Sequence, residues 1–92
     1  MLIYRYEMED GGGPYATYDG YWRFDKPEIP PMDDGTLSGC LSLKKLKEYW
    51  SSGSHPKGIT DNCKIKIYDV LNKDIIYTAS HVRFPKKYKS IN

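Results

Sequence analysis

The sequence predicts a small α+β domain in which one helix packs on a three- to four-stranded, mostly antiparallel sheet that carries a long aromatic loop. Three observations predict it. Residues 2–8 and 63–70 alternate in polarity as strands do, and residues 42–50 place apolar side chains at helical spacing. The stretch between the first strand and the helix is rich in glycine, proline and aromatic residues. This order of strand, loop, helix and further strands is typical of an α+β domain.

Length and composition predict a single domain over residues 1–92 with a modest core. Charged residues make up 28% of the chain and hydrophobic residues 39%, which is typical of a globular protein rather than a disordered one. The net charge of +2 gives no argument for direct nucleic-acid binding. Because no basic-then-apolar leader and no long apolar run is visible, we expect a cytoplasmic protein without a membrane partner.

Each predicted strand has two distinguishable faces. In the first strand, one largely apolar face is formed by Leu2, Tyr4, Tyr6 and Met8, and the other by Ile3, Arg5 and Glu7. In the strand over residues 63–70, the predicted wet face is formed by Lys64, Lys66 and Tyr68. Residues 75–84 are rich in β-branched and aromatic side chains, so they predict one further strand that ends at Pro85.

The helix has recognisable ends, and the two cysteines have a simple interpretation. Ser42 is a good N-cap, and Gly53 suits a left-handed C-cap. In a reducing compartment Cys40 and Cys63 are expected to be free, buried and structural. Neither cysteine has the short spacing to a second ligand that a zinc site needs, so we expect no metal and no other cofactor.

Residues 10–24 are the candidate binding segment, because a backbone-accessible glycine run leads into a cluster of aromatic side chains. The candidate contact residues in it are Gly12, Gly13, Tyr15, Tyr18, Tyr21 and Trp22. Neither a lysine nor a helix follows the glycines, which favours a turn over a phosphate loop. The aromatic side chains either contact a partner or cover the sheet. Where the sheet has a fourth strand, we expect the irregular segment 9–41 to supply it, with residues 15–24 as a candidate.

Three other motifs have plain structural interpretations. His81 lies near a strand end without an assignable nucleophile, so we interpret it as non-catalytic. The acidic side chains around Asp33 and Asp34 predict a solvated loop rather than a cation site. The basic residues 86–89 predict a solubilising C-terminal segment.

The order of several short segments resembles a group of short phage and prophage accessory proteins. The segments are Tyr4–Glu7, Gly12–Tyr15, Pro31–Asp34, Ser42–Trp50, Lys66–Val70 and His81–Phe84. Many such proteins act against host defence, so the resemblance implies an anti-defence role by association.

The first two of these segments are also similar to the start of an ADP-ribosyltransferase-type fold. That resemblance implies that Arg5, Tyr15 and Thr17 bind a nicotinamide dinucleotide. The family places a catalytic Glu or Gln on a late strand, whereas this sequence has neither after Glu48. Without that group the positive charge that develops on the ribose lacks a partner, so the resemblance favours a binder over an active transferase.

The sequence therefore predicts a non-catalytic, phage-type protein that inhibits or sequesters a host defence component in the host cytosol. The component is either a protein complex, as for an anti-CRISPR inhibitor, or a nucleotide signal. Two alternatives stay open, namely a small ADP-ribosyltransferase-like enzyme that uses NAD and a structural or regulatory phage protein. The sequence does not specify the oligomeric state.

Overall fold

The computed structural model of the protein describes residues 1–14, 23, 34–51 and 55–92. These residues contain five strands, one α-helix and one 3₁₀ turn. In chain order the elements are β1 Leu2–Glu7, β2 Thr36–Gly39, α1 Leu43–Trp50, β3 Lys64–Asp69, the 3₁₀ turn Asn72–Asp74, β4 Ile76–Tyr77 and β5 Val82–Pro85. The predicted α+β class with one helix is confirmed.

The strands form two antiparallel sheets rather than the single sheet of three to four strands that the sequence predicts. β1 pairs with β3 from Leu2 opposite Asp69 to Glu7 opposite Lys64, and the second sheet has the order β2-β5-β4. One bridge joins the sheets, in which Tyr4 and Cys40 exchange two backbone hydrogen bonds of 2.8 Å. The irregular segment 9–41 does supply a strand, but that strand is β2 rather than the candidate over residues 15–24, most of which lie outside the described residues.

Residues 75–84 form two strands instead of the predicted one. The Thr78 amide and hydroxyl both donate to the His81 carbonyl, at 2.9 and 2.8 Å. The amides of Ser80 and His81 donate to Thr78 Oγ1 in return, at 3.4 and 3.1 Å. The Thr78 side chain thus forms hydrogen bonds with the local backbone, and these replace the hydrogen bonds of a continuous strand. The segment therefore reverses into a hairpin in which β4 pairs with β5.

The buried face of β1 carries Ile3, Arg5 and Glu7, whereas Leu2 on the largely apolar face is 43% exposed. On β3 the predicted wet face is wrong at Tyr68, which is only 5% exposed. Tyr68 lies opposite Ile3 in the register and its ring centroid is 5.0 Å from that of Phe84. Pairing between β1 and β3 therefore determines which face is buried, more than side-chain polarity does.

The hydrophobic core joins residues of both sheets. Its buried members are Ile3, Tyr68, Val70, Ile75, Val82 and Phe84. Gly39 allows β2 to approach β1 closely, because a Cβ at this position would lie 2.5 Å from Ile3 Cγ2 and 2.7 Å from the Tyr4 carbonyl oxygen.

The helix α1 begins as predicted at the N-cap Ser42, whose Oγ accepts a 3.1 Å hydrogen bond from the Lys45 amide. Its C-cap is Ser51, and the predicted cap Gly53 lies outside the described residues. Leu46 is the helix residue that enters the interior. Within the part of the chain that the structure describes, no helix has the length and apolar composition needed to cross a membrane.

Candidate functional site

A cleft of about 690 Å³ opens beside β1 and β2, and it is within the size range of small-molecule sites. One side of the cleft is formed by Asp10, Gly11 and Gly12 of the glycine turn, which we define as Met8–Gly12, together with Gly13. Another side is the aromatic wall, which we define as Tyr49 and Trp50 at the end of α1. A third side is the basic flank, which we define as Arg83, Lys86 and Lys89.

The glycine turn is a three-residue hairpin loop. The Gly11 amide donates to the Met8 carbonyl at 2.9 Å, and the Met8 amide donates to the Gly12 carbonyl at 2.7 Å. Gly11 has a φ of 86°, the left-handed conformation that this loop type requires at its third position. The first glycines of the run therefore lie in a turn, which the sequence favours over a phosphate loop.

Asp10 takes the position at this turn that a bound anion would need. Its Oδ1 accepts a 3.0 Å hydrogen bond from the Gly12 amide, and its Oδ2 pairs with the fully buried guanidinium of Arg23. Burial opposes ionisation of Asp10, but the Gly12 amide and the Arg23 guanidinium outweigh it and lower the pKa of this carboxyl. Gly13 contributes its carbonyl, which accepts a 2.9 Å hydrogen bond from Arg23 Nη1.

Arg5 ties three parts of the site together. Its Nε donates to Glu7 Oε2 at 2.8 Å, its Nη1 to the Ser38 carbonyl at 3.0 Å and its Nη2 to the Gly11 carbonyl at 2.9 Å. The side chain is 7% exposed. All three guanidinium nitrogens therefore bond within the protein, which gives Arg5 a positioning role for β1, β2 and the glycine turn.

The structure brings three of the residues named from the sequence, Arg5, Gly12 and Gly13, to this one cleft. The other candidates lie outside the described residues: Tyr15, Thr17, Tyr18, Tyr21 and Trp22. The predictions for the five candidates outside the described residues stay predictions.

Glu7 is a cleft residue that the sequence-based reasoning did not select. Its Oε2 accepts hydrogen bonds from Arg5 Nε and from the Tyr68 hydroxyl, while its Oε1 has no hydrogen-bond partner among the described residues. No fully buried polar side-chain atom in the described ranges lacks a partner, so Oε1 has accessible surface, and Glu7 is one of the residues that line the cleft. Burial, and then the hydrogen bond to Glu7, raise the pKa of Tyr68. The sequence did contain a signal that could have identified Glu7. Arg5 and Glu7 are two residues apart on the same face of a strand, where their opposite charges can pair.

The basic flank is partly paired. Arg83 bonds the Asp34 carboxylate, and its Nε donates to Thr36 Oγ1 at 3.1 Å. The hydroxyl and amide of Thr36, with Arg83, lower the pKa of Asp34. The backbone amide of Lys86 donates to the carbonyl of Gly35, the residue before β2, at 2.9 Å. Lys89 is exposed and forms no ion pair within the described ranges.

The charges of the cleft are nearly balanced. Among the described residues, four cations line it, Arg5, Arg83, Lys86 and Lys89, against three anions, Glu7, Asp10 and Asp34. Of the acidic residues grouped around Asp33 in the sequence, only Asp34 is described, and it pairs with Arg83. Nowhere in the described ranges do three His, Cys, Asp or Glu side chains gather closely enough to hold a metal ion.

The aromatic wall is held in place by ring contacts. Tyr49 and Trp50 have centroids 5.2 Å apart at an interplanar angle of 83°, and His81 lies 5.9 Å from Tyr49 on the other side. Burial, and then the neighbouring Arg83, lower the pKa of His81, so its ring is neutral at pH 7. Both aromatic side chains belong to the apolar spacing that predicts the helix, and both are half-buried and line the cleft.

Both cysteines are free, Cys40 buried and Cys63 half-buried. Burial raises the pKa of Cys40, which lines the cleft, and raises that of Cys63 to about 11. The thiols are therefore protonated at neutral pH, and a protonated thiol is a poor nucleophile. The cleft thus offers hydrogen-bonding groups, cations and ring faces, without an activated thiol.

Comparison with known proteins does not assign this fold to a family or this cleft to a function. No protein-family model, no curated protein and no solved structure matches the chain. The resemblances to phage accessory proteins and to ADP-ribosyltransferase-type folds therefore stay predictions.

Proposed function

We propose that this protein is a non-catalytic binding protein that sequesters a nucleotide signal, in the manner of a phage accessory protein that acts against host defence. The observation that supports this proposal is the composition of the cleft. One surface combines the aromatic wall, the basic flank and the rigid glycine turn within a volume suited to a small molecule.

Two sides of the cleft each match one part of a nucleotide. The half-buried rings of Tyr49 and Trp50 provide apolar faces of the kind on which nucleobases stack. Lys89 is exposed and lines the same cleft, and its positive charge attracts a phosphate. A ligand with both a ring and an anionic group therefore uses the cleft more fully than a purely apolar ligand would.

Two features favour binding over catalysis. Arg5 is held by three internal acceptors, so it is not available to bind NAD as the ADP-ribosyltransferase-like alternative requires. The Cys40 thiol is protonated at neutral pH, so it does not supply a nucleophile. We therefore propose sequestration in the host cytosol rather than group transfer.

Release of bound ligand by heat tests this proposal directly. The protein is purified from defended, infected host cells and heated, and the supernatant is analysed by liquid chromatography and mass spectrometry. We expect a nucleotide in an amount approaching one per chain, less of it with Lys89→Glu, and an unchanged amount with the control Lys57→Glu. Lys57 is exposed and does not line the cleft. A supernatant free of nucleotide contradicts the proposal.

Phage genetics tests the anti-defence part. Deletion of the gene is expected to reduce phage growth on hosts that carry the defence system and to leave growth on undefended hosts unchanged. Equal impairment on both hosts favours the structural or regulatory alternative and contradicts the anti-defence proposal.

A further inference from the structure

We infer that the nucleotide bound in the cleft carries a base with an exocyclic amino group, and that Glu7 Oε1 accepts the hydrogen bond of this group. The inference rests on the proposed function and adds the class of base to it. It starts from Glu7 Oε1, which among the described carboxylates of the cleft is the one oxygen without a hydrogen-bond partner.

Glu7 is prepared as a single, fixed acceptor. Its side chain is 10% exposed, and its Oε2 is held by Arg5 on β1 and by Tyr68 on β3. Oε1 has no partner among the described residues and is not sealed from the cleft. Because the other oxygen is held from two sides, Oε1 keeps one direction and costs little ordering when a ligand binds.

The chemistry of a carboxylate selects among bases. An ionised carboxylate only accepts hydrogen bonds, and the amino groups of adenine, cytosine and guanine donate them. Uracil and thymine present carbonyl oxygens at the corresponding positions, and these repel a carboxylate. A ligand without a donor also leaves Oε1 desolvated and unpaired, which weakens binding.

The groups that a nucleotide would contact line one cleft. They are Glu7, the two rings of the aromatic wall and the exposed cation Lys89. Because a nucleoside monophosphate carries its base and its phosphate on one molecule, a single ligand can contact all of them.

Isothermal titration calorimetry with AMP, CMP and UMP tests the inference. We expect AMP and CMP to bind the wild-type protein at least about 10-fold more tightly than UMP. Glu7→Gln is expected to reduce that preference to within about 3-fold, because one half of the amide becomes a donor. Tyr77→Phe is the control, since Tyr77 is exposed on β4 and does not line the cleft, so the preference is retained.

A modified ligand makes the test independent of how well Glu7→Gln folds. N6,N6-dimethyl-AMP keeps the ring and phosphate but lacks the amino donor, and we expect it to bind wild-type protein as weakly as UMP. Equal binding of AMP, dimethyl-AMP and UMP overturns the inference about Glu7 while the proposed function stands. Binding of none of these nucleotides contradicts the proposed function itself.

Discussion

The Tyr68 hydroxyl donates its hydrogen bond to Glu7 Oε2 across 61 positions of sequence, and so joins β3 to β1 beside the cleft. The same oxygen accepts the 2.8 Å hydrogen bond from Arg5 Nε. Two strands and the buried guanidinium thus hold one carboxylate in a single orientation. This arrangement stabilises the fold, and the other oxygen of Glu7 has no hydrogen-bond partner among the described residues.

Removal of the Tyr68 hydroxyl is expected to destabilise the protein. Tyr68→Phe keeps the ring contact with Phe84 but removes the donor to a buried, charged acceptor. We expect the free energy of unfolding to fall by about 1.5–3 kcal/mol, as measured by urea denaturation at pH 7. The control Tyr77→Phe alters an exposed tyrosine on β4 and should change it by less than about 0.5 kcal/mol. Equal effects of the two variants would contradict the role of the Glu7 contact.

Tyr68 also predicts a loss of stability at alkaline pH. Its pKa is raised above the ordinary value of 10.0, so its contribution is complete below pH 10 and is lost as the pH rises toward the folded-state pKa. The difference in melting temperature between wild type and Tyr68→Phe should therefore narrow above pH 10. Cys63, with a pKa raised from 9.0 to about 11, adds a loss between those values in both proteins. A difference that stays constant from pH 8 to pH 11 would be evidence against this linkage.

The close approach of β2 to β1 predicts that Gly39 does not accept a side chain. In Gly39→Ala the new Cβ meets Ile3 Cγ2 and the Tyr4 carbonyl oxygen, so the sheets must move apart. We expect a loss of about 1–3 kcal/mol in the free energy of unfolding, measured in urea. Gly13→Ala is the matched control, because its Cβ would lie 3.8 Å from the nearest atom, the Tyr6 carbonyl oxygen. Equal stability of the Gly39→Ala and Gly13→Ala variants would contradict the close approach of β2 to β1.

Asp10 predicts a dependence of stability on acid pH. Asp10→Asn removes the carboxylate that pairs with the buried Arg23 guanidinium, and we expect it to cost about 1–3 kcal/mol at pH 7. The pKa of Asp10 is lowered, so its contribution is present above the ordinary value of 3.8 and is lost as the pH falls through the folded-state pKa. Urea unfolding at pH 7 and pH 3 should show the two proteins converging in acid. A cost that is the same at both pH values would contradict this.

Local patterns predicted the local elements well. Period-two alternation placed β1 and β3 within one or two residues of their observed ends, and Ser42 marked the start of α1. Each of these features depends on neighbouring residues, such as the Ser42 side chain and the Lys45 amide. Turn chemistry at Gly11 was likewise visible in the sequence.

Long-range pairing was harder to predict. β2 has four residues within a stretch rich in glycine and proline, and its strand character depends on β5, where Thr36 lies opposite Pro85. The burial of Arg5 and Glu7 depends in the same way on Tyr68 and on the Ser38 carbonyl. Polarity alone separated the face of Arg5 and Glu7 from the largely apolar face of β1, but it did not predict that these charges are buried, because their partners are distant in sequence.

The candidate site was found in part. The glycine turn and Arg5 were named from the sequence and lie at the cleft, but Arg5 holds the turn through the Gly11 carbonyl. Glu7, Tyr49 and Trp50 were not selected, because a strand charge and helical aromatic residues each have an ordinary structural interpretation. They are distinguished from ordinary structural residues only in the three-dimensional structure, where several elements converge on one cleft.

The central claim is that the cleft binds a nucleotide, and a titration of ¹⁵N-labelled protein with AMP, followed by NMR, tests it most directly. We expect saturable shifts of the Gly11, Gly12 and Gly13 amides and of the Trp50 indole, with the exposed β4 residues Ile76 and Tyr77 unchanged. Absence of shifts at millimolar AMP, or shifts confined to β4, would contradict the account.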